Sequence, residues 1–113
     1  MKYKRFEIWI ADLNPRMGTE TGKTRPVLII QSNLLNKVHP STVICPITTN
    51  IKKDVSILRV DIKKGEGGVG QDISVMIDQI RAIDNKRFLK KIGDLPEALQ
   101  NKVLENVKIV LDL

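Results

Sequence analysis

Apolar residues recur along this chain in short runs of strand length, and only the C-terminal end spaces them as a helix does. The stretch FEIWIADL, residues 6–13, mixes aromatic and β-branched residues and predicts a first strand. PVLIIQ, residues 26–31, is a continuous apolar run and predicts a buried strand. SNLLNKV, residues 32–38, has room for one or two helical turns, with Ser32 or Asn33 as N-cap. A third strand is expected in TVICPITT, residues 42–49, and a fourth in SILRVDIK, residues 56–63, where Ile57, Leu58, Val60 and Ile62 partly alternate. GEGGVG, residues 65–70, reads as a turn. ISVMIDQIRAID, residues 73–84, predicts a further strand: Ile73, Val75 and Ile77 keep period two, and Ile80 breaks it. Asp84 is then placed to cap a short helix that gives way to a brief extended segment. In residues 94–113, Asp94 and Glu97 have capping-box spacing, Pro96 falls in the first turn, and Leu99, Val103, Val107 and Val110 share a helix face. Between the first two strands, residues 14–25 lack apolar periodicity, and a connection that long in a small domain is usually functional. The expected fold class is mainly β (α+β): a small, highly curved antiparallel barrel or sheet with helices outside it.

Composition narrows this picture. At 113 residues the chain is long enough for a single domain, residues 1–113, with a modest core. No apolar run approaches the ~20 residues that span a bilayer, and the apolar part of MKYKRFEIWI is short for a signal peptide, so no membrane contact and a cytoplasmic location are expected. Cys45 is the only cysteine and lies in an apolar run, where a buried, inert thiol is expected. Trp9 is assigned to the core, and Tyr3, Phe6 and Phe88 to the surface. The net charge of +6 suits a polyanion or an acidic protein segment, and equally a merely solubilising surface.

Two glycine patterns invite a nucleotide reading, and both fail on context. GTETGKTRP, residues 18–26, contains Gly-Lys-Thr, but a phosphate-binding loop needs its first glycine at Met17, and a helix must follow. Here Pro26 and a strand follow instead. GEGGVG matches G-x-G-x-x-G but leads into another strand, so no dinucleotide site is expected. One histidine, His39, one cysteine and scattered carboxylates make no metal-ligand set, and no cofactor is expected. What remains is a group of polar residues at strand edges: Arg25 before the second strand, Thr48 and Thr49 at the end of the third, and Asp78-Gln79 interrupting the fifth. Taken singly, each also has an ordinary structural reading.

Together these segments resemble the MazF/PemK (Kid) family of toxin ribonucleases. The resemblance is carried, in order, by FEIWIADLNP, GKTRPVLII, Pro46-Ile47-Thr48, Asp78-Gln79-Ile80-Arg81-Ala82-Ile83-Asp84 and the LPEALQNKV helix, and it covers essentially the whole chain. It implies an SH3-like barrel that dimerises and cuts single-stranded RNA at short sequences without metal. The 2′-hydroxyl would attack its own phosphate, leaving a 2′,3′-cyclic phosphate and a 5′-hydroxyl. It also implies an acidic antitoxin as partner. The matched catalytic positions are Arg25 and Thr48. A guanidinium fork can bind two nonbridging phosphate oxygens, and a hydroxyl can add a further donor. Asp78 is a candidate for acid–base work or for reading a base edge. Some members carry an arginine two positions before this acid; here that position is Met76, so a mechanism using that arginine does not carry over. With few aromatics for stacking, RNA binding is expected from Asn14, Lys23, Thr24, Ser32, Thr49, Asn50, Gln79 and Arg81. A CcdB-like gyrase poison on the same fold and a non-catalytic RNA-binding barrel remain as alternatives.

Overall fold

The apolar runs in the middle of the chain become strands covered on both faces, which is why they do not alternate with polar residues. A computed structural model describes residues 2–15, 17–19, 22–51 and 57–113. Ser56, at the start of the expected fourth strand, and Arg16, Glu20 and Thr21 of the long connection lie outside the described residues. The strands are β1 (Glu7–Asp12), β2 (Thr24–Ile29), β3 (Ser41–Thr48), β4 (Arg59–Ile62), β5 (Ile73–Met76), β6 (Arg81–Asp84) and β7 (Phe88–Asp94). The helices are α1 (Asn33–Asn36), whose first turn is capped by Ser32, and α2 (Glu97–Leu111). No helix among the described residues is long and apolar enough to cross a membrane.

Every strand pairing is antiparallel, in the order β4-β5-β3-β2-β1-β7, and β6 lies beside β3 off this path. The eight-residue β3 organises the sheet. It takes β2 along one edge and divides the other between β6, opposite residues 41–44, and β5, opposite residues 47–48. Residues 73–84 are therefore not one strand. They split into β5 and β6 around a 3-10 turn, Ile77–Gln79, which sits beside β3 where the ladder changes partner. Pro46, with no N–H to donate, lies in that gap.

Alternation along the strands separates two cores. Ile8, Leu28, Cys45, Ile47, Val60, Val75 and Val103 belong to the first, which α2 closes with Leu99, Val107 and Val110. Trp9, Ala11, Val27, Ile29, Ile44, Ile83 and Phe88 form the second, on the opposite face. Here the aromatic assignment is corrected: Tyr3 stacks on Phe88 at 4.5 Å between centroids and meets Trp9 edge-on at 5.0 Å, while Phe6 packs against the first core. With so few aromatics, gathering three around one strand end buries more apolar area than exposing them would. Below them Glu7, 6% exposed, accepts hydrogen bonds from Trp9 Nε1 and the Lys4 backbone and pairs with Lys91 Nζ at 2.9 Å.

The ends of the strand path, β4 and β7, do not pair among the described residues, so the sheet is open rather than a closed barrel. They meet through glycine instead. A Cβ on Gly68 would overlap the Ile92 carbonyl, and one on Gly93 would overlap that of Gly67. Gly68 also holds φ +78, which side chains rarely adopt. The β4–β5 turn thus lies directly on the backbone of β7.

The start of α2 departs from the sequence reading. Pro96 is its N-cap and makes no side-chain capping bond, and the Asp94 carboxylate turns to Lys91 at 3.3 Å. A lysine three residues earlier in the same strand competes successfully for that carboxylate. Asp84 does cap its short 3-10 turn, accepting from Lys86 N at 2.8 Å.

Candidate active site

Strand β2 begins at Thr24, two residues earlier than its apolar run, because β1 pairs with it down to Asp12↔Thr24. Arg25 is therefore a strand residue, opposite Ala11, rather than the close of a loop. On its other side, the β2–β3 register runs through Val27↔Pro46. Two residues further along, that register brings Arg25 across from Thr48. The two line a cleft of about 390 Å³ together with Lys23, Thr24, Pro26, Ile47, Thr49 and Asn50. The described lining turns two cations and three hydroxyls, and no carboxylate, to this space.

Both central side chains are held from behind. The half-buried Arg25 donates from Nε to the Gly22 carbonyl at 3.0 Å, and its Nη1 lies 3.5 Å from the Ile47 carbonyl. Thr48 Oγ1 accepts from the Asn50 backbone N–H at 3.1 Å, which leaves the hydroxyl proton for an acceptor in the cleft. Arg59 Nη1 reaches the Asn50 carbonyl at 3.3 Å and so steadies the same turn. Lys23, with φ +69, is fixed where β1 and β2 diverge. Its N–H goes to Asn14 Oδ1 at 2.9 Å, and its carbonyl accepts from Leu13 N at 2.9 Å.

The cleft is one end of a longer row. Thr48 pairs with Ser74 of β5, and Ser74 with Asp61 of β4, so Arg25, Thr48, Ser74 and Asp61 lie side by side across four strands. They continue the face that carries the second core. Ser74 is the unusual member: it is 0% exposed, and its Oγ meets no hydrogen-bond partner among the described residues. A buried hydroxyl left so costs about 1–3 kcal/mol.

Comparison with known proteins identifies the family. Residues 4–111 match the family of PemK-like, MazF-like toxins of type II toxin–antitoxin systems. The chain belongs to this family. The endoribonuclease EndoA of Bacillus subtilis is 36% identical over 113 residues, covering 100% of this chain and 97% of that protein. Among solved structures, MazF from Deinococcus radiodurans superimposes with a TM-score of 0.83 at 21% identity, covering 98% of this chain and 97% of that one. An endoribonuclease in complex with its cognate antitoxin from a mycobacterial species gives 0.80 at 19% identity, over 98% and 96% of the two chains. At such identities these two likenesses concern the fold.

In this MazF-like toxin the expected site residues separate into three groups. Arg25, Thr48, Lys23, Thr24, Thr49 and Asn50 share the cleft, with Asn14 bonded to Lys23 at its edge. Asp78, Gln79 and Arg81 lie along the other edge of β3. The first two are in the 3-10 turn, and Arg81 pairs with Ile44. Ser32 is not brought to the cleft: it is at the far end of β2, and its Oγ accepts from Leu34 N at 3.2 Å to cap α1. Cys45 is fully buried. Burial, reinforced by the negative charge of Asp78, pushes its thiol up to about 12, which removes it as a nucleophile. Sequence reasoning missed Ser74 and Arg59. The signal for Ser74 was a polar residue between Ile73 and Val75, on the face opposite to theirs, but its partner Thr48 becomes visible only with the strand order.

Proposed function

We propose that this MazF-type endoribonuclease cuts single-stranded RNA, mRNA included, at short specific sequences and without a metal ion, with Arg25 and Thr48 as its catalytic residues. The observation that carries the reading is their juxtaposition across β2 and β3 in a cationic cleft. In the reaction a ribose 2′-oxygen attacks the adjacent phosphorus. The P–O5′ bond breaks, the 2′-hydroxyl proton passes to solvent water, and the departing 5′-oxygen takes a proton from solvent. The products are a 2′,3′-cyclic phosphate and a 5′-hydroxyl. Negative charge gathers on the nonbridging oxygens during the attack, where a fixed guanidinium and a hydroxyl donor stabilise it more than they stabilise the ground state. His39 lies before the opposite end of β3 from Thr48 and the Cys45 thiol is buried, so charge stabilisation in the cleft falls to hydrogen-bond donors. Asp78 and Gln79, outside the cleft lining, are assigned to reading base edges, and Lys23, Thr24, Thr49, Asn50, Asn14 and Arg81 to holding the RNA.

As a toxin, the protein is restrained by a cognate acidic antitoxin, for which the +6 charge supplies electrostatic attraction. It acts as a homodimer in the cytoplasm. The exposed apolar side chains Leu34, Leu35 and Val38 around α1, and Ile109 and Leu111 at the end of α2, are the contact surfaces this offers.

A long single-stranded RNA incubated with the pure protein in EDTA tests the reading, with Arg25→Ala and Thr48→Ala alongside. Discrete fragments with 5′-hydroxyl ends are expected. Each variant should cut roughly 100- to 1000-fold more slowly, the usual cost of one preorganised donor. Intact RNA across many substrates, or full cleavage by Arg25→Ala, would overturn it.

A further inference from the structure

We infer that Ser74 is a positioning residue for Thr48, a role that rests on the RNA-cleaving function proposed above. Ser74 and Thr48 are direct cross-strand neighbours on one face of the sheet. At that position their Cβ atoms are about 4.5–5.5 Å apart, so a turn of one side chain between staggered rotamers brings the hydroxyls into hydrogen-bond range. Ser74 is wholly buried, so its hydroxyl does not reach the RNA itself. Yet the hydroxyl has no partner among the described residues, while Val60, Ile62, Ile73, Val75 and Met76 of β4 and β5 show that an apolar residue would suit the strand interior equally well.

Substrate supplies the reason for a hydroxyl. Thr48 Oγ1 has two lone pairs and one proton, and the Asn50 N–H already uses one lone pair. When the Thr48 proton is donated to a phosphate oxygen, Oγ1 becomes a better acceptor, and its second lone pair is available to a donor on the neighbouring strand that carries Ser74. A chain then forms from the Ser74 O–H through Thr48 Oγ1 to the phosphate, each bond polarising the next. Because charge on the phosphate oxygens is greatest in the transition state, the chain is strongest there. Ser74 therefore raises kcat and leaves ground-state binding almost unchanged. The other neighbour on this row, Asp61, is exposed and has water to satisfy it, which makes it the weaker claimant for the proton.

The test is a double-mutant cycle on steady-state RNA cleavage, using wild type, Ser74→Ala, Thr48→Ala and the double variant. Circular dichroism melts come first, and rates are taken well below each transition. Ser74→Ala is expected to melt at or above wild type, since it deletes an unsatisfied polar group, and to lower kcat roughly five- to tenfold with KM unchanged. In the Thr48→Ala background the same change should add nothing. A wild-type kcat for Ser74→Ala overturns the assignment, as does an equal loss in both backgrounds, which would mean that Ser74 acts through some other group. Thr48→Ala cutting as fast as wild type would instead sink the catalytic reading of the cleft, and this role with it.

Discussion

A carboxylate at position 7, in the second residue of an aromatic-flanked strand segment, is an unlikely choice for a buried site unless its charge is met, and here it is met from three sides. Burial pushes the Glu7 pKa upward. The hydrogen bonds from the Trp9 indole, Lys91 and the Lys4 backbone outweigh that, and the carboxyl ends below its ordinary 4.5. Lys91 is raised by the same pairing, so its contribution is complete below the ordinary lysine value and is lost only in strong alkali. The acid side therefore belongs to Glu7. Between its folded and unfolded pKa values the unfolded chain binds the extra proton, so stability falls as pH drops from about 4.5 through the folded value. Urea unfolding from pH 7 to pH 3 should show this loss in wild type. Glu7→Gln should start about 1–3 kcal/mol less stable, because a charged acceptor is replaced by a neutral one, and should lose less with acid. Parallel curves for the two proteins would remove Glu7 from the acid response.

At the scale of elements, the contact between the β4–β5 turn and β7 holds the two ends of an open sheet together, and it tolerates no side chain. Gly68→Ala must either abandon φ +78 or push the Ile92 carbonyl aside. A strained backbone of that kind costs about 1–3 kcal/mol, and displacing β7 adds to it. A fall in Tm on the order of 10 °C is expected, measurable by circular dichroism. Gly70→Ala, with open space around its Cβ, serves as the matched control and should stay near wild type. The glycine run was legible in the sequence as a turn, but its backbone contact with Gly93 was not, since nothing local to residues 65–70 names a partner 25 residues away. The same limit runs through the fold. Period-two spacing located Ile73, Val75 and Ile77, yet the break into β5 and β6 is imposed by β3, which changes ladder partner at Pro46. Capping-box spacing was present at Asp94, but Lys91 won the carboxylate. Arg25 and Thr48 were legible as strand-edge polar residues. That they face each other follows from register, and register depends on pairings between segments some twenty residues apart.

For the whole molecule, the charge distribution decides how RNA is held. The second-core face of the sheet ends in the row containing Arg25 and Thr48, whereas α2 covers the first-core face, so a cation on α2 stands on the other side of the sheet from the cleft. Lys23 is exposed in the cleft lining, and Lys102 is exposed on α2. The net charge of +6 draws a polyanion to the molecule generally, but only cations in contact with phosphate release counterions stoichiometrically. Binding of a 2′-O-methyl RNA, which cannot be cut because its nucleophile is blocked, isolates that contribution. In a plot of log K against log salt, Lys23→Gln should reduce the magnitude of the slope by about 0.7, the contribution of one phosphate contact on a single strand, and weaken binding alike for every sequence. Lys102→Gln should leave the slope unchanged. Equal effects at the two positions would mean that the RNA is held by overall charge rather than by the cleft, and the track of phosphates past Arg25 would then have to be sought elsewhere on the surface.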